Sequence, residues 1–227
     1  TVNDGGDGTF FTDTNLVITA AQGIGTTSAL GTAVSNLEAS GGTGGIDVAN
    51  TGDVTVGGIG ALTGLSATNS NISLTAASSI TVSEAIDSSG GDVDIVATEN
   101  INVTASIDTT PTAGTGGSIT LNADSDQATN AGGGIGVFSL LTSAGGNITL
   151  GGGANPLTTA TLGTAVTANI GVRMVGATID SAGGDISVRG ASPNASSTRG
   201  ISVTSSSVTS GAGAISLFGS TVAAGGF

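Results

Sequence analysis

The chain has 227 residues, of which 16 are acidic and three are basic, so its formal net charge is −13. Binding to nucleic acid or to an anionic membrane surface needs clustered Lys and Arg, so this charge argues against both kinds of partner. Cysteine and histidine are absent, which excludes disulfides, thiolate metal sites and the most common general base. No apolar run approaches the roughly 20 residues of a membrane-spanning helix, so we expect no such helix.

The low charge density indicates a particular environment. Charged residues make up 8% of the sequence, whereas about a quarter is usual for a soluble domain. Thr, Ser, Asn and Gly must therefore solvate the surface. This composition is typical of secreted and cell-surface proteins, and we expect an extracellular location. Disorder is not expected, because Ile, Val and Leu recur at regular spacing.

Residues 1–15 are predicted to form an irregular N-terminal segment. The stretch Asn3-Asp-Gly-Gly-Asp-Gly8 offers oxygen ligands on glycine-rich turns, which suits a hard cation such as calcium. Phe10, however, stands where the repeat of a calcium β-roll has Asp, and the stretch has no second copy. A turn or linker is therefore favoured over a calcium site here.

A repeat can be followed from Leu16 to the end of the chain. Each unit begins with an apolar–polar–apolar triplet, the alternation of a strand with one buried face. The unit length varies from 21 residues between Ile72 and Val93 to 38 between Ile148 and Ile186, and the longer units contain polar insertions. The first apolar residues of the units are Ile18, Ile46, Ile72, Val93, Ile119, Ile148, Ile186 and Ile215.

Two further strands are predicted in most units. The second is another apolar–polar–apolar triplet, and the third is a single apolar residue followed by polar residues and, in several units, by Gly-Gly. The second triplets begin at Val54, Ile80, Ile101, Ile135, Ile170 and Ile201, and the third apolar residues are Ile86, Ile107, Leu141, Ile179 and Val208.

Three short strands in a unit of at least about 20 residues predict a three-sided coil with Gly, Asn, Asp and Ser at its corners. One coil cannot bury its own apolar face, so the coils must stack. The sequence therefore predicts a single all-β domain, a right-handed parallel β-helix of about eight coils over residues 16–227, roughly 38 Å long at about 4.8 Å per coil. An uncapped coil leaves an open sheet edge, so we expect the helix to continue beyond Phe227 or to stack end to end.

The turn between the third strand of one unit and the first strand of the next has a recurring sequence. It reads apolar residue, Asp or Thr, Ser or Thr, any residue, Gly-Gly, Asn or Asp, and then the next triplet. It occurs at residues 86–95, 141–150 and 179–188. This unit resembles the repeats of filamentous haemagglutinin-like exoproteins and related large bacterial adhesins. The resemblance implies a β-helix secreted to the cell surface with a role in adhesion, biofilm or filaments, and it carries no catalytic residues.

Two pairs of carboxylates are candidates for catalysis, Asp92 with Asp94 and Asp124 with Asp126. Residues i and i+2 of a strand project to the same side, and a glycosidase or polysaccharide lyase would use such a pair. Pectate-lyase-like enzymes also require a basic residue and often calcium. Solvated carboxylates are favoured, because the available basic residues belong to other coils: Arg173, Arg189 and Arg199.

Other polar residues have structural interpretations. Arg173, which with Met174 interrupts an apolar strand, and Arg189 are expected to pair with nearby carboxylates such as Asp180 or Asp185. Threonines at outward positions form no regular ladder, so ice binding is not favoured, and Asn-x-Ser/Thr triplets mostly mark strands rather than glycosylation sites. The threonines are Thr55, Thr81, Thr120 and Thr149, and the asparagines are Asn71, Asn102, Asn147 and Asn194.

The sequence favours a structural protein over an enzyme. We predict an extracellular β-solenoid that acts as an adhesin stalk, a surface layer or a filament subunit, with no catalytic, cofactor-binding or metal-binding residues assigned. The expected partners are copies of itself or further coils of the same protein, and also host or cell-surface glycans. The alternative is a carbohydrate-active β-helix enzyme, which would require a groove lined by two carboxylates and an arginine on adjacent coils.

Overall fold

The computed structural model describes residues 1–3, 9–127, 132–193 and 199–221, and strands make up nearly all of its regular structure. Within these ranges the exception is one 3-10 turn, Ala165–Thr167. The strands are β1 (Thr9–Thr19), β2 (Leu30–Ser40), β3 (Ile46–Asn50), β4 (Val54–Val56), β5 (Leu65–Ser66), β6 (Ile72–Ala76), β7 (Ile80–Val82), β8 (Ile86–Asp87), β9 (Val93–Ala97), β10 (Ile101–Val103), β11 (Ile107–Asp108), β12 (Ile119–Asn122), β13 (Ile135–Val137), β14 (Leu140–Thr142), β15 (Ile148–Gly151), β16 (Thr161–Leu162), β17 (Val172–Val175), β18 (Thr178–Asp180), β19 (Ile186–Ser192), β20 (Ile201–Thr204), β21 (Ser207–Thr209) and β22 (Ile215–Thr221).

Successive coils place these strands on three faces. The first face carries β3, β6, β9, β12, β15, β19 and β22. The second carries β4, β7, β10, β13, β17 and β20, and the third carries β5, β8, β11, β14, β18 and β21. Neighbours on a face pair in parallel and in register, so that Ile72 lies between Ile46 and Val93. The predicted all-β parallel β-helix with three strands per coil is confirmed.

The apolar residues of each triplet point into the coil. In β9, Val93, Ile95 and Ala97 are fully buried, while Asp94 between them is exposed. Their register partners in the next coil include Ile119 and Leu121, which are also fully buried. Burying one such side chain contributes about 1.5–3 kcal/mol, and the columns that result on the three faces form one continuous core.

The recurring turn after the third face has a defined hydrogen-bond pattern. Asp87 accepts a hydrogen bond at Oδ1 from the Ser89 N–H at 2.7 Å, and Ser89 adopts a left-handed φ of +50°. The buried Ser88 hydroxyl turns inward and donates to the Gly91 carbonyl. The motif is therefore a self-satisfied corner that leaves no buried hydroxyl unpaired. Equivalent inward hydroxyls donate to a glycine carbonyl at Thr109, Ser143, Ser181 and Ser210.

The second glycine of this turn is required by close stacking of backbones. A Cβ at Gly146 would overlap the carbonyl oxygen of Gly117 in the preceding coil, and a Cβ at Gly184 would overlap that of Gly146. The same column begins at Gly91 and ends at Gly213. From Gly91 to Gly213 no side chain fits between the coils at this corner, so glycine sets their stacking distance there, whereas Ser70 holds the equivalent position in the preceding coil.

The first coil differs from the sequence prediction. Ile18 was predicted to open a first-face strand, but it pairs with Ala39, which pairs with Leu65 of the third face. Ile24 bridges to Ile46 and occupies the first-face position instead. The strand β1 begins at Thr9, so the predicted irregular segment of residues 1–15 is wrong over residues 9–15. The sequence did not predict this strand because β1 pairs with β2 alone. Several of its side chains face solvent, so it lacks the apolar alternation of the other strands.

A second correction concerns the strand predicted at Ile170. The strand β17 begins two residues later, and Val172 rather than Ile170 pairs with Ile135. Val172 and Met174 are buried while Arg173 points outward between them. Arg173 therefore does not interrupt the apolar strand as predicted. It occupies the polar position of a normal triplet.

We predict that Gly146→Ala destabilises the protein by about 1–3 kcal/mol or more, because the added methyl group overlaps backbone that cannot move aside. Gly52→Ala is the matched control, since a Cβ at Gly52 meets nothing within 4 Å. Equilibrium unfolding in guanidinium chloride measures both. Equal stability of the two variants would contradict the proposed role of the glycine column.

Candidate functional sites

Asp92 is part of a polar ladder that links three coils. Its Oδ1 accepts a hydrogen bond from the Ser118 N–H of the next coil at 2.7 Å, and its own N–H donates to Asn71 Oδ1 of the preceding coil at 2.9 Å. The ladder continues where Asn147 Oδ1 accepts from the Asp185 N–H at 2.8 Å. Each of these side chains takes the place of a main-chain acceptor at the corner before the first face. Asn71 and Asn147 thus have a structural role in the fold.

Asp94 lies outward on the first face, where it is partly desolvated. Partial desolvation raises the pKa of Asp94, a Thr120 side-chain hydrogen bond lowers it, and the charge of Asp92 raises it further. Asp94 and Asp47 line one shallow depression on either side of Ser73. No arginine lines this depression among the residues that the structure describes.

Two arginines stack on phenylalanine rings. The Arg173 guanidinium carbon lies 5.4 Å from the centre of the Phe138 ring, and that of Arg189 lies 5.2 Å from the Phe218 ring. Arg189 Nε also donates to the Leu157 carbonyl. Among the described residues, neither arginine forms the predicted ion pair with Asp180 or Asp185. Asp180 Oδ1 accepts from the Ala182 N–H at 3.0 Å and Asp185 Oδ1 from the Ala214 N–H at 2.8 Å.

The remaining sequence candidates do not come together. Thr55 pairs with Thr81, and Thr120 pairs with Thr149, but these couples lie on different faces. Asn102 lies at the polar position of β10. Asp4 to Gly8 of the proposed calcium stretch and Asn194 lie outside the described residues. Arg199, the third arginine, is exposed.

Sequence reasoning missed a carboxylate that clamps a loop. Glu38 in β2 is buried, and its carboxylate accepts four main-chain hydrogen bonds from successive residues of the loop 57–64. Oε1 accepts from Ile59 N–H at 2.8 Å and Gly60 N–H at 2.6 Å, and Oε2 accepts from Ala61 N–H at 2.9 Å and Leu62 N–H at 2.6 Å. Burial by itself would raise the pKa of Glu38, but the four N–H donors outweigh it and hold the pKa below its usual value.

A second glutamate, from the following coil, holds the two ends of the same loop. Glu84 Oε1 accepts from the Gly58 N–H at 3.2 Å, and its Oε2 accepts from the Gly64 N–H at 2.9 Å. The sequence offers one weak indication of this arrangement. A glycine-rich insertion lies near two of the three glutamates in the chain.

Asp124 is a second buried carboxylate, and its pKa is raised rather than lowered. It is 3% exposed, and it sits at a corner with a left-handed φ of +55°. Burial raises the pKa of Asp124 to about 7, although a main-chain hydrogen bond from Leu162 lowers it, and the charge of Asp126 adds to the rise. The predicted pair Asp124 and Asp126 is thus close enough to interact, but only one member is buried.

The comparisons with known proteins add no identification. No protein-family model, curated protein or solved structure matches this chain. The resemblance to haemagglutinin-like repeats therefore stays a prediction. In the parts of the chain that are described, the structure has no helix with the length and hydrophobicity to span a membrane.

We predict that Glu38→Gln releases the loop 57–64. The amide presents a donor to N–H groups that need an acceptor, so main-chain amides 59–62 should exchange with deuterium at least about tenfold faster. Glu99→Gln, which removes the same charge away from this loop, is the control.

The clamp also depends on pH. Because the folded pKa of Glu38 is lowered, its contribution to stability is full above the unfolded pKa of about 4.3 and is lost as the pH falls through the folded value. Unchanged exchange at neutral pH would contradict the clamp.

We also predict that Asp124 makes the protein less stable at high pH in buffer with EDTA. Its folded pKa of about 7 lies above the unfolded value of about 3.9, so its favourable contribution is present below about 3.9 and is lost as the pH rises through about 7. Asp124→Asn should remove this loss, and Asp108→Asn should not. Thermal unfolding between pH 4 and pH 8 measures the effect, and parallel pH profiles of wild type and Asp124→Asn would contradict it.

Proposed function

We propose that this protein is an extracellular structural β-solenoid, a rigid rod that serves as an adhesin stalk, a surface layer or a filament subunit. The observation that carries the proposal is the exposed end of the apolar core. Ile215 and Leu217 of β22 are 45% and 49% exposed, whereas Ile186 and Val188, their partners in the preceding coil, are 1% and 0% exposed.

This end has the chemistry of an interface that fits another coil. The outer edge of β22 has no paired strand in the described part of the chain, so it presents main-chain donors and acceptors beside the apolar column. An unpaired edge with apolar residues pairs readily with a further strand. Val203 on the second face is likewise 44% exposed. A further coil of the same type, from this protein or from another copy, satisfies both the hydrogen bonds and the apolar groups.

The sides of the rod support an extracellular role. Outward positions on the first face are mainly small polar groups, with Ser73, Thr120, Ser187 and Ser216 among them, and the net charge of −13 favours solubility over binding to polyanions. The carbohydrate-active alternative is less well supported, because the depression that holds Asp47 and Asp94 has no arginine among its described lining residues.

Self-association through the exposed end is tested with Leu217→Lys, which places a charge where a following coil would bury it. Val166→Lys is the control, because Val166 is 67% exposed on the 3-10 turn of an insertion. In sedimentation velocity over a wide concentration range, we expect wild type and Val166→Lys to associate and Leu217→Lys to stay monomeric. A wild type that never associates, or equal association of all three, would contradict the proposal.

The extracellular location is tested separately. Antibodies raised against the folded protein should label intact cells that make it, and thin rods or fibres should carry the label in electron micrographs. Labelling that requires permeabilised cells would contradict an extracellular role.

A further inference from the structure

Two buried side-chain oxygens at one corner of the rod lack the partners that buried polar atoms normally have. They are Asn122 Oδ1 and Asp124 Oδ1, and neither accepts a hydrogen bond from any residue that the structure describes. Asn122 is 8% exposed and Asp124 is 3% exposed. An unpaired buried oxygen is costly, and a buried carboxylate more so. Each such group in a native protein calls for a compensating ligand or proton.

The corner is held between two coils. On one side the Asp124 N–H donates to the Glu99 carbonyl at 3.1 Å. On the other side the Gly153 N–H donates to the Asp124 carbonyl at 3.0 Å, and Asn122 Nδ2 donates to the Gly153 carbonyl at 3.0 Å. Gly153 therefore ties Asn122 and Asp124 to the insertion of the following coil. This insertion covers Asn122 and Asp124, whereas Asp126 and Gln127 are exposed.

The available protein donors compensate the Asp124 carboxylate only in part. Gln127 Nε2 donates to Asp124 Oδ2 at 2.8 Å and to the Asp124 carbonyl at 3.1 Å. By contrast, Glu38 has four N–H donors shared evenly between its two oxygens. The second oxygen of Asp124 is the one that has no donor.

The chemistry of the corner favours a hard cation. Carboxylate and amide oxygens are the ligands that Ca²⁺ prefers, and the chain has no His or Cys to suit a softer metal. Asn122, Asp124 and Asp126 are spaced as the first three ligands of an EF-hand loop, and Gln127 has a left-handed φ of +50° where that loop has its glycine. The match ends there, since Gly133 stands where the loop has its bidentate Glu.

We propose that the corner of residues 122–127 binds a divalent cation of the Ca²⁺ class through Asn122 Oδ1 and Asp124 Oδ1, with Asp126 supplying a second negative charge beside it. No three acidic, His or Cys side chains converge in the described ranges, so the site depends on two carboxylates together with amide and main-chain oxygens. Such a ligand set corresponds to the weak end of calcium affinities, about 0.1–1 mM.

The cation would fasten the long insertion to the rod. Asn122 and Asp124 belong to the coil of β12, and Gly153 belongs to the coil of β15. A cation bound at the corner therefore stabilises the stacking of these two coils. Extracellular modules typically bind Ca²⁺ with dissociation constants of about 0.1–1 mM, so an affinity in this range suits the location proposed above. The site itself does not depend on that location.

The test is a calcium titration of the full chain by isothermal titration calorimetry at pH 7.5 and constant ionic strength, after removal of metals with a chelating resin. We expect one site per chain in wild type, at least about tenfold weaker binding in Asp124→Asn, and unchanged binding in Asp108→Asn. Asp108 is a fair control because it caps a turn through the Thr110 N–H at 2.7 Å on another face, and Asn can make the same contact.

Thermal unfolding keeps the proposal testable if the heat of binding is small. Saturating CaCl2 should raise the melting temperature of wild type and Asp108→Asn by at least about 3 °C over EDTA, and should leave Asp124→Asn unchanged. Equal rises in all three variants, or equal rises with CaCl2 and with NaCl at the same ionic strength, would show only screening of the net charge and would overturn the site. Absence of any rise and of any calorimetric binding would also overturn it, and would leave protonation of Asp124 as the compensation.

Discussion

The whole rod depends on the close approach of main chains at the glycine corner. At Gly117, Gly146 and Gly184 the backbone of one coil occupies the space that a Cβ would need in the next. Parallel strands lie about 4.8 Å apart, and from Gly91 onward the coils keep that spacing at a corner that has no side chain between them. At this spacing, each inward-facing apolar residue stacks on its register partner in the next coil, and the stacked residues form one continuous apolar core. In the coils that carry it, the glycine pair of the recurring turn is therefore needed for the core to pack.

Polar side chains at the corners accept hydrogen bonds from main-chain N–H groups that lie outside the strands. Between strands the ladder is interrupted, and side-chain oxygens from Asn71, Asp92 and Asn147 accept the N–H groups that strands would otherwise satisfy. Two insertions bury carboxylates, and the two carboxylates differ in the number of hydrogen-bond donors around them. Glu38 is surrounded by main-chain donors, so it stays ionised without help. Asp124 has an oxygen with no donor among the described residues, which is why it, and not Glu38, is the candidate for a cation.

The fold could be predicted from the sequence because its signals are local and repeated. Triplets such as that of β9 and the turn that follows β8 carry strand alternation and corner chemistry within ten residues. The errors fall where repetition ends. Ile18 was misplaced because the first coil stacks on one side only, and Ile170 because an insertion ends two residues before the strand resumes. The environments of Glu38 and Asp124 could not be predicted, since they depend on loops that return from 20 or more residues away to cover them.

Register-specific distances between coils test the account most directly. In nuclear Overhauser spectra of the isotope-labelled protein, we expect contacts of Ile119 with both Val93 and Ile148, which are its parallel partners on the first face. We also expect contacts of the Gly146 α-protons with Gly117 and Gly184 across the glycine corner. Close α-proton to α-proton contacts between neighbouring strands, which mark antiparallel pairs, or the absence of contacts between the glycines, would contradict a parallel β-helix stacked on its glycine column.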